Sequence, residues 1–397
     1  MKTNVGVFFG GCSVEHEISI ISALQAINAF DTAKYTVTPV YMTKKGTWYT
    51  GPALLEVDNY RDTEALLKKC TQVYLRPELG NGTLYTAKKK LFGSDEYARL
   101  DIIFPVLHGT NGEDGSFQGL LELIGLPYVG CPPLASVNGM DKITMKMILR
   151  ECNIPVVDFQ WFTDKQWFTH KDELIAKIED TLGYPVIVKP ANLGSSVGIS
   201  RAQDRTALIK AVDMAVKFSA RIIVEHMVVD LKEINCSVLG NNFECITSVC
   251  EEPVKTDEIL SYTDKYMGGS KNSGPSKGMQ STQRKIPADL SSEMSETIRS
   301  YAAETFRVLS CDGVSRIDFI VDEKTNDIYV NEINTIPGSL SFYLWEATGL
   351  SFDKLMDKLI DLALKRNRDA SLKTTSYDAN IFNLKGGAKG GKFGAKR

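Results

Sequence analysis

Ile102-Ile-Phe-Pro-Val-Leu107 is an almost unbroken apolar run of strand length. A strand with no polar face must be covered on both sides, as happens when helices flank a parallel sheet. Neighbouring segments agree. Val5–Phe9 is a second apolar strand, Ile18–Phe30 has helical character with Ser13 placed as its N-cap, and Tyr35–Tyr41 is a further strand. Gly119–Ile124 reads as a helix leading to Pro127-Tyr-Val-Gly130, a short strand. Strands alternating with helices predict a parallel α/β unit at the N-terminus.

The 397 residues suggest two or three domains at roughly 150 residues each. Hydrophobic residues at 43% and charged residues at 24% suffice for a full core and exclude global disorder. No apolar run approaches the roughly 18 residues that span a bilayer. After Lys2 a five-residue apolar strand meets Gly10-Gly11, too short for a signal peptide. Eight cysteines without a CxxC pair read as reduced thiols in a cytosolic protein. Four histidines argue against His/Cys metal chemistry at the centre of function. Lys385–Arg397 holds five basic residues, five glycines and no acid. Setting those five aside from the 46 Lys and Arg leaves 41 against 49 Asp and Glu, an acidic body without a nucleic-acid-binding surface.

A helix from Ala135 through Cys152 opens a second unit, which continues through the strand Pro185–Lys189 into Gly194-Ser-Ser-Val-Gly198. A third contains strands at Ile222–Glu225, Glu233–Leu239 and Thr247–Val249, the helix Ser291–Leu309, a hairpin and a last helix Phe352–Lys365. These divide the chain into units at 1–134, 135–224 and 225–366, with 367–397 a flexible Gly/Lys-rich tail. Met267–Gln280, rich in Gly, Ser and Lys, has the length of a functional lid or a disordered loop.

The hairpin is the most informative segment. Val314-Ser-Arg-Ile-Asp-Phe-Ile-Val321 alternates so that Arg316 and Asp318 share one face, with Ile317, Phe319 and Val321 on the other. Beyond the turn Asp322–Asp327, Glu332 and Asn334 share a face opposite Ile333. Pairing in register would bring two carboxylates, an amide oxygen and a guanidinium to one patch, which suits Mg²⁺ on a nucleotide's phosphates. A solvated sheet face with an ordinary Arg–Asp pair stands at even odds on pattern alone. The Pro337-Gly338 turn, which brings backbone N–H groups close, shifts the balance toward a site.

Three loops add to it. Lys189 at a strand end, followed by Gly194–Gly198, can hold phosphate oxygens, although no Walker A lysine follows the glycines and a plain flexible connection is a comparable reading. Phe9-Gly-Gly-Cys-Ser-Val-Glu-His16 allows a small ligand to approach the backbone, with Glu15 either complementing a helix dipole or holding a substrate ammonium. His16 reads as structural. His108-Gly-Thr-Asn-Gly-Glu-Asp-Gly115 follows a buried strand, where α/β sheets place ligands; a polar loop capping the next helix through Glu113 and Asp114 is an equal reading. There is no GxSxG elbow, no zinc motif and no partnered cysteine nucleophile. Phosphate and metal chemistry therefore favour a nucleotide-using enzyme.

In this order and spacing, Phe9–Ser19, Leu107–Gly115, Tyr184–Pro190, Gly194–Gly198, Arg316-Ile-Asp318 and Glu332–Gly338 resemble the D-alanine–D-alanine ligases of the ATP-grasp superfamily, over about Asn4 to Lys365. The resemblance implies an α/β ATP-grasp fold, with two α+β subdomains enclosing the nucleotide beside the N-terminal domain. It also implies a cytoplasmic, homodimeric enzyme of peptidoglycan synthesis. Its substrates would be small D-amino acids and ATP, with two Mg²⁺ ions, replaceable by Mn²⁺. Residue by residue, it implies that Glu15 holds the first D-alanine's ammonium and that His108 lies beside that substrate. Lys142 and Lys189 would contact phosphates, and Ser195 and Ser196 would belong to the loop over them, Ser195 linked to Glu15. Glu225, His226, Met227 and Val228 would form the adenine hinge, with Glu233 on the ribose. Asp318, Glu332 and Asn334 would be the metal ligands, and Arg316 and the Gly338 N–H the oxyanion donors. Lys265 and Tyr266 would sit on the closing loop.

Two departures stand out. The family's serine for the second substrate's carboxylate falls here on Tyr343, followed by Leu344, leaving Ser339 or Ser341 as substitutes or a different acceptor such as D-serine. Met267–Gln280 is longer and more Gly/Lys-rich than the family's closing loop. A non-catalytic ATP-binding relative is the competing class, and the intact acids and lysines argue against it.

Overall fold

The computed structural model describes residues 2–88, 93–194, 197–253 and 284–374, so Ser195, Ser196, Lys265, Tyr266, the 267–280 loop and the tail beyond 374 lie outside the described residues. Three sheets follow one another along the chain. The first contains β1 (Thr3–Gly10), β2 (Tyr35–Met42), β3 (Trp48–Thr50), β4 (Thr71–Leu75), β5 (Thr83–Thr86), β6 (Glu96–Arg99) and β7 (Ile102–Val106) in the order β6-β5-β4-β3-β2-β1-β7. Only β2, β1 and β7 are parallel; β3 to β6 run as antiparallel neighbours, so the expected parallel unit is half of a mixed sheet. The added strands are three to five residues long, and β4 and β6 are mostly uncovered, which antiparallel meanders tolerate and parallel strands do not. The expected strand at 127–130 is reduced to one bridge between Ile103 and Tyr128.

β1 ends on Gly10 and Gly11, both in the left-handed region (φ 92° and 90°). A Cβ on Gly10 would stand 2.3 Å from the Met42 carbonyl oxygen, so only glycine lets the chain turn here into the helix His16–Ala29. Ser13 does not cap that helix. Its hydroxyl accepts the Glu15 N–H at 3.1 Å in a local turn, and Glu15 itself occupies the N-cap position.

The second sheet is antiparallel: β8 (Phe159–Thr163), β9 (Val186–Pro190), β10 (Ser200–Ala202) and β11 (Arg221–His226), ordered β10-β9-β11-β8. The helices Lys171–Thr181 and Arg205–Ala215 cover one face through Ile175, Ile178, Leu208 and Val212. The third sheet joins β12 (Leu231–Gly240), β13 (Cys245–Pro253), β14 (Arg284–Lys285), β15 (Gly313–Asp322) and β16 (Ile328–Asn334) in the order β14-β13-β12-β15-β16. Ile234, Cys236, Ile317, Phe319 and Val330 bury one face against Ile298, Ala302 and Phe306 of the helix Ser292–Val308. The opposite face carries the charged residues.

Two helices differ from expectation. The stretch from Ala135 to Cys152 is two helices, Pro133–Met140 and Lys142–Glu151, because Asp141 caps the second by accepting the Thr144 N–H at 2.8 Å. The last helix runs over Phe352–Ser371, past Lys365 and into the segment read as tail. Arg366 ties it down by donating to the Tyr128 carbonyl at 2.6 Å and pairing with Asp312 at 3.0 Å. Among the described residues no helix is long and apolar enough to cross a membrane.

Candidate active site

The hairpin of β15 and β16 pairs in the register that the alternation demands, Arg316 opposite Asn334 and Asp318 opposite Glu332. Arg316 donates twice to Asp318, at 2.6 and 2.8 Å, and the Asn334 amide donates to the same carboxylate at 3.0 Å. Burial works against the Arg316 charge, but Asp318 more than offsets it and holds the guanidinium well above its ordinary pKa. Burial also raises Asp318, with Arg316 opposing and Glu332 adding. A bulge between Asp318 and Phe319 leaves two residues, Asn331 and Glu332, between the core-facing Val330 and Ile333. Bulges re-aim side chains in this way beside active sites.

Asn331 accepts from Lys189 Nζ at 3.1 Å, a partner that strict alternation of the strand would have pointed away. Lys189 also pairs with Glu225 at 2.6 Å, and Glu225 pairs in turn with Lys146 at 3.0 Å. Burial pushes Glu225 up, yet the two lysines overturn that and hold it at about 2. Glu225 is therefore an interior anchor for Lys189 and Lys146, a role that its place at the head of the segment 225–228 did not reveal. Lys142 reaches Glu332 at 3.2 Å and the Leu193 carbonyl at 3.0 Å, joining the hairpin patch to the start of the glycine loop. Gly194 in turn lies beside Glu15: a Cβ on it would stand 2.9 Å from Glu15 Oε2.

Beyond β11 the hinge is less uniform. His226 is exposed, the Met227 N–H donates to the Pro185 carbonyl at 3.1 Å, and Val228 is buried against Val157 and Ile320. Glu233 lies on the face shared with Asp318, exposed and opposite Ile320.

His108, Ser22 and the turn after Pro337 form a second cluster. His108 Nε2 lies 2.9 Å from Ser22 Oγ, which also accepts the Ser339 N–H at 2.9 Å. Burial pushes His108 down to about 4, with Arg316 adding to the shift, so the ring is neutral near pH 7. Gly338 opens a turn in which Ser339, Leu340 and Ser341 all adopt left-handed backbone (φ 51°, 53° and 51°), strain of the kind concentrated at functional sites. Leu344 is fully buried and faces the core.

Glu113 is the residue that sequence reasoning passed over as a helix cap. Its carboxyl accepts the Gly109 N–H at 2.8 Å and the Ile336 N–H at 2.9 Å, clamping the two loops together. Burial, reinforced by Glu15, raises it to about 8. A folded-state value above the unfolded 4.5 gives stability that is complete below about 4.5 and lost as pH rises through about 8. Over pH 5 to 8 the melting temperature of the wild type should therefore fall relative to Glu113→Gln, a gap that scanning calorimetry measures directly. A gap constant with pH would show that Glu113 does not titrate in this range.

A cavity of about 750 Å³ is lined by Pro155, Val321 and Tyr329 together with Met294 and Tyr301 of the helix Ser292–Val308, among others. It holds none of the charged groups above, so chemistry rather than hollowness locates the site.

The model of the D-ala D-ala ligase N-terminus matches residues 4–131, and that of the D-ala D-ala ligase C-terminus matches 148–361. The D-alanine–D-alanine ligase of Thermosipho melanesiensis is 40% identical over 386 residues, covering 97% of this chain and 99% of the relative. Among solved structures, the D-alanine–D-alanine ligase of Coxiella burnetii superimposes with a TM-score of 0.76 at 31% identity, covering 94% of this chain and 96% of its own. The VanG D-Ala:D-Ser ligase of Enterococcus faecalis gives 0.76 at 29%, covering 91% and 100%. With both halves matched and nearly the whole length shared, the chain belongs to the D-alanine–D-alanine ligase family.

Proposed function

We propose that this ATP-grasp enzyme joins two molecules of D-alanine at the expense of ATP, through an acyl phosphate. The observation that carries the reading is the in-register patch of Arg316, Asp318, Glu332 and Asn334, tied by Lys142 to the glycine loop that abuts Glu15. Glu15 holds the donor's ammonium, which leaves the donor carboxylate to attack the γ-phosphate near Lys142 and Lys189. The amine of the acceptor then attacks the acyl carbon. Arg316 and the Gly338 N–H receive the oxyanion, and inorganic phosphate leaves. Neutral His108 walls the donor without competing for its carboxylate. Adenine packs against the 225–228 hinge, with Glu233 at the ribose.

Two carboxylates and an amide oxygen are hard donors that fit divalent magnesium or manganese. When bound there, two such ions supply charge neutralisation for the transferring phosphoryl group. Ser195, Ser196, Lys265 and Tyr266 complete the loops over the site in this reading. The acyl phosphate is prone to hydrolysis, which a closing loop prevents by excluding water. A homodimer and a cytoplasmic setting belong to the same reading.

The test is phosphate release from Mg-ATP with D-alanine alone, then with D-serine or D-lactate added, the products being identified by mass. D-alanyl-D-alanine from D-alanine alone is the expected product. Release only with another acceptor would keep the phosphoryl chemistry and refute the D-alanine acceptor. No turnover with any of them would favour a binding protein.

A further inference from the structure

Side chains from two sheets and one helix meet around Lys189. Lys189 on β9 and Glu225 on β11 share a face of the second sheet, since Lys189 stands opposite Ile223 and Glu225 opposite Ile187. Lys146 comes from the helix Lys142–Glu151 and Asn331 from β16. Lys146, Lys189 and Glu225 are all buried. Ile223 and Phe159, on the same face, pack with Ile143 in an apolar cluster, so charges here act with little screening by water.

The charges in this group are uneven. Two ammonium groups share one carboxylate, Glu225 Oε1 lying 3.0 Å from Lys146 and Oε2 lying 2.6 Å from Lys189. Two further acceptors come from the bulge in β16, and neither carries a charge. The Val330 carbonyl accepts from Lys146 at 3.5 Å, and the Asn331 amide oxygen accepts from Lys189 at 3.1 Å. An aspartate at 331 would offer Lys189 an oxygen of the same reach, but it would set two acids against two lysines and cancel the excess positive charge. The bulge makes the contact possible. Pairing with β15 passes from Glu332 to Val330 and leaves Asn331 with no residue opposite, which frees its side chain from the core row of Val330 and Ile333. A neutral acceptor on a strand orders a long, flexible lysine before any ligand arrives and leaves its charge in force.

We propose that Asn331 is a positioning residue of the nucleotide site: its uncharged amide oxygen orients Lys189 without cancelling the charge that Lys189 offers to the polyphosphate. This rests on the nucleotide reading above and deepens it, since the charge balance on the phosphate side is then set from β16.

The test measures the Kd for Mg-ADP by calorimetry, and for adenosine by displacement of Mg-ADP, in wild type, Asn331→Asp and Asn331→Leu, with melting temperatures alongside. Adenosine keeps the base and ribose and lacks the phosphates. Asn331→Asp, a change of matching shape, is expected to raise the Kd for Mg-ADP about tenfold or more, because an added negative charge in a poorly screened site acts against the phosphates. Its Kd for adenosine stays within about twofold, since no phosphate meets the new charge. Its melting temperature does not fall, because Lys189 gains a second acid. Asn331→Leu keeps the charge balance and loses the acceptor, so its Kd for Mg-ADP rises about threefold, the worth of one hydrogen bond, with adenosine again unaffected. Wild-type affinity for Mg-ADP in either variant would overturn the proposal. So would a loss shared equally by Mg-ADP and adenosine with a lowered melting temperature in both variants, the mark of a structural role. A wild type that binds no Mg-ADP would instead overturn the nucleotide reading on which the proposal stands.

Discussion

Asp318→Asn is expected to reduce ATP turnover by about three orders of magnitude, because one carboxylate serves two purposes at once. It receives both guanidinium N–H bonds of Arg316 and stands opposite Glu332, the second acid of the proposed metal site. An asparagine at 318 offers a single oxygen, and its amide N–H₂ must then face an Arg316 donor in either orientation, and the Asn334 amide as well in one of them. Misplacing one oxyanion donor costs about 10² to 10³ in rate. In the proposed mechanism Asp318 is also a hard oxygen ligand, and losing its charge would weaken the metal–nucleotide complex further. The loss should show as lower kcat with D-alanine saturating, and as disappearance of the thermal upshift that Mg-ATP gives the wild type. ATP offered with EDTA is the control, since the wild type should lose its upshift there too. Unchanged turnover in Asp318→Asn would remove the metal and oxyanion assignments together, and unchanged upshift with lost turnover would confine Asp318 to the chemical step.

What the amino-acid sequence discloses here follows the range of the forces involved. The β15–β16 register is legible because a period of two puts Arg316, Asp318, Glu332 and Asn334 on one face, and only one register keeps Ile317, Phe319 and Ile333 in the core. The glycine turn after β1 is legible because a positive φ leaves little choice of residue. The bulge that turns Asn331 toward Lys189 is not, since nothing local distinguishes it from plain alternation. The short strands β3 to β6 escape for a similar reason: three to five residues are too few to show a period. Lys146 sits 79 positions before its partner Glu225 and looks, in isolation, like an ordinary solvated helix lysine. Tyr343 is conspicuous in the sequence as a departure, yet its meaning depends on Glu251 and Arg284, which come together only when β13, β14 and the turn after β16 are assembled.

The second large effect comes from that hidden pair. Glu225→Leu is expected to destabilise the protein by about 3–5 kcal/mol, since it leaves the buried ammonium groups of Lys146 and Lys189 without the acid between them. Lys146 is fully buried, and burial already pulls its pKa down against the opposing charge of Glu225. With the acid gone Lys146 sheds its proton, while Lys189 keeps Asn331 as a neutral partner and drifts from its place in the proposed phosphate site. The Km for ATP should therefore rise along with the loss of melting temperature. The contribution has a definite pH window. Glu225 has a folded-state value of about 2 against an unfolded 4.5, so its stabilisation is complete above about 4.5 and is lost as pH falls toward 2. The gap between wild type and Glu225→Leu should narrow in acid and stay wide near neutrality. Replacing Lys146 as well, by Met, exchanges one buried ion pair for apolar contacts of similar volume, a change often neutral or stabilising. The double variant should thus regain much of the lost melting temperature yet keep the weakened ATP binding, because Lys189 still lacks its anchor. Recovery of both would mean that Glu225 serves Lys146 alone; recovery of neither would mean that the interior charge pair is not where this domain stores its stability.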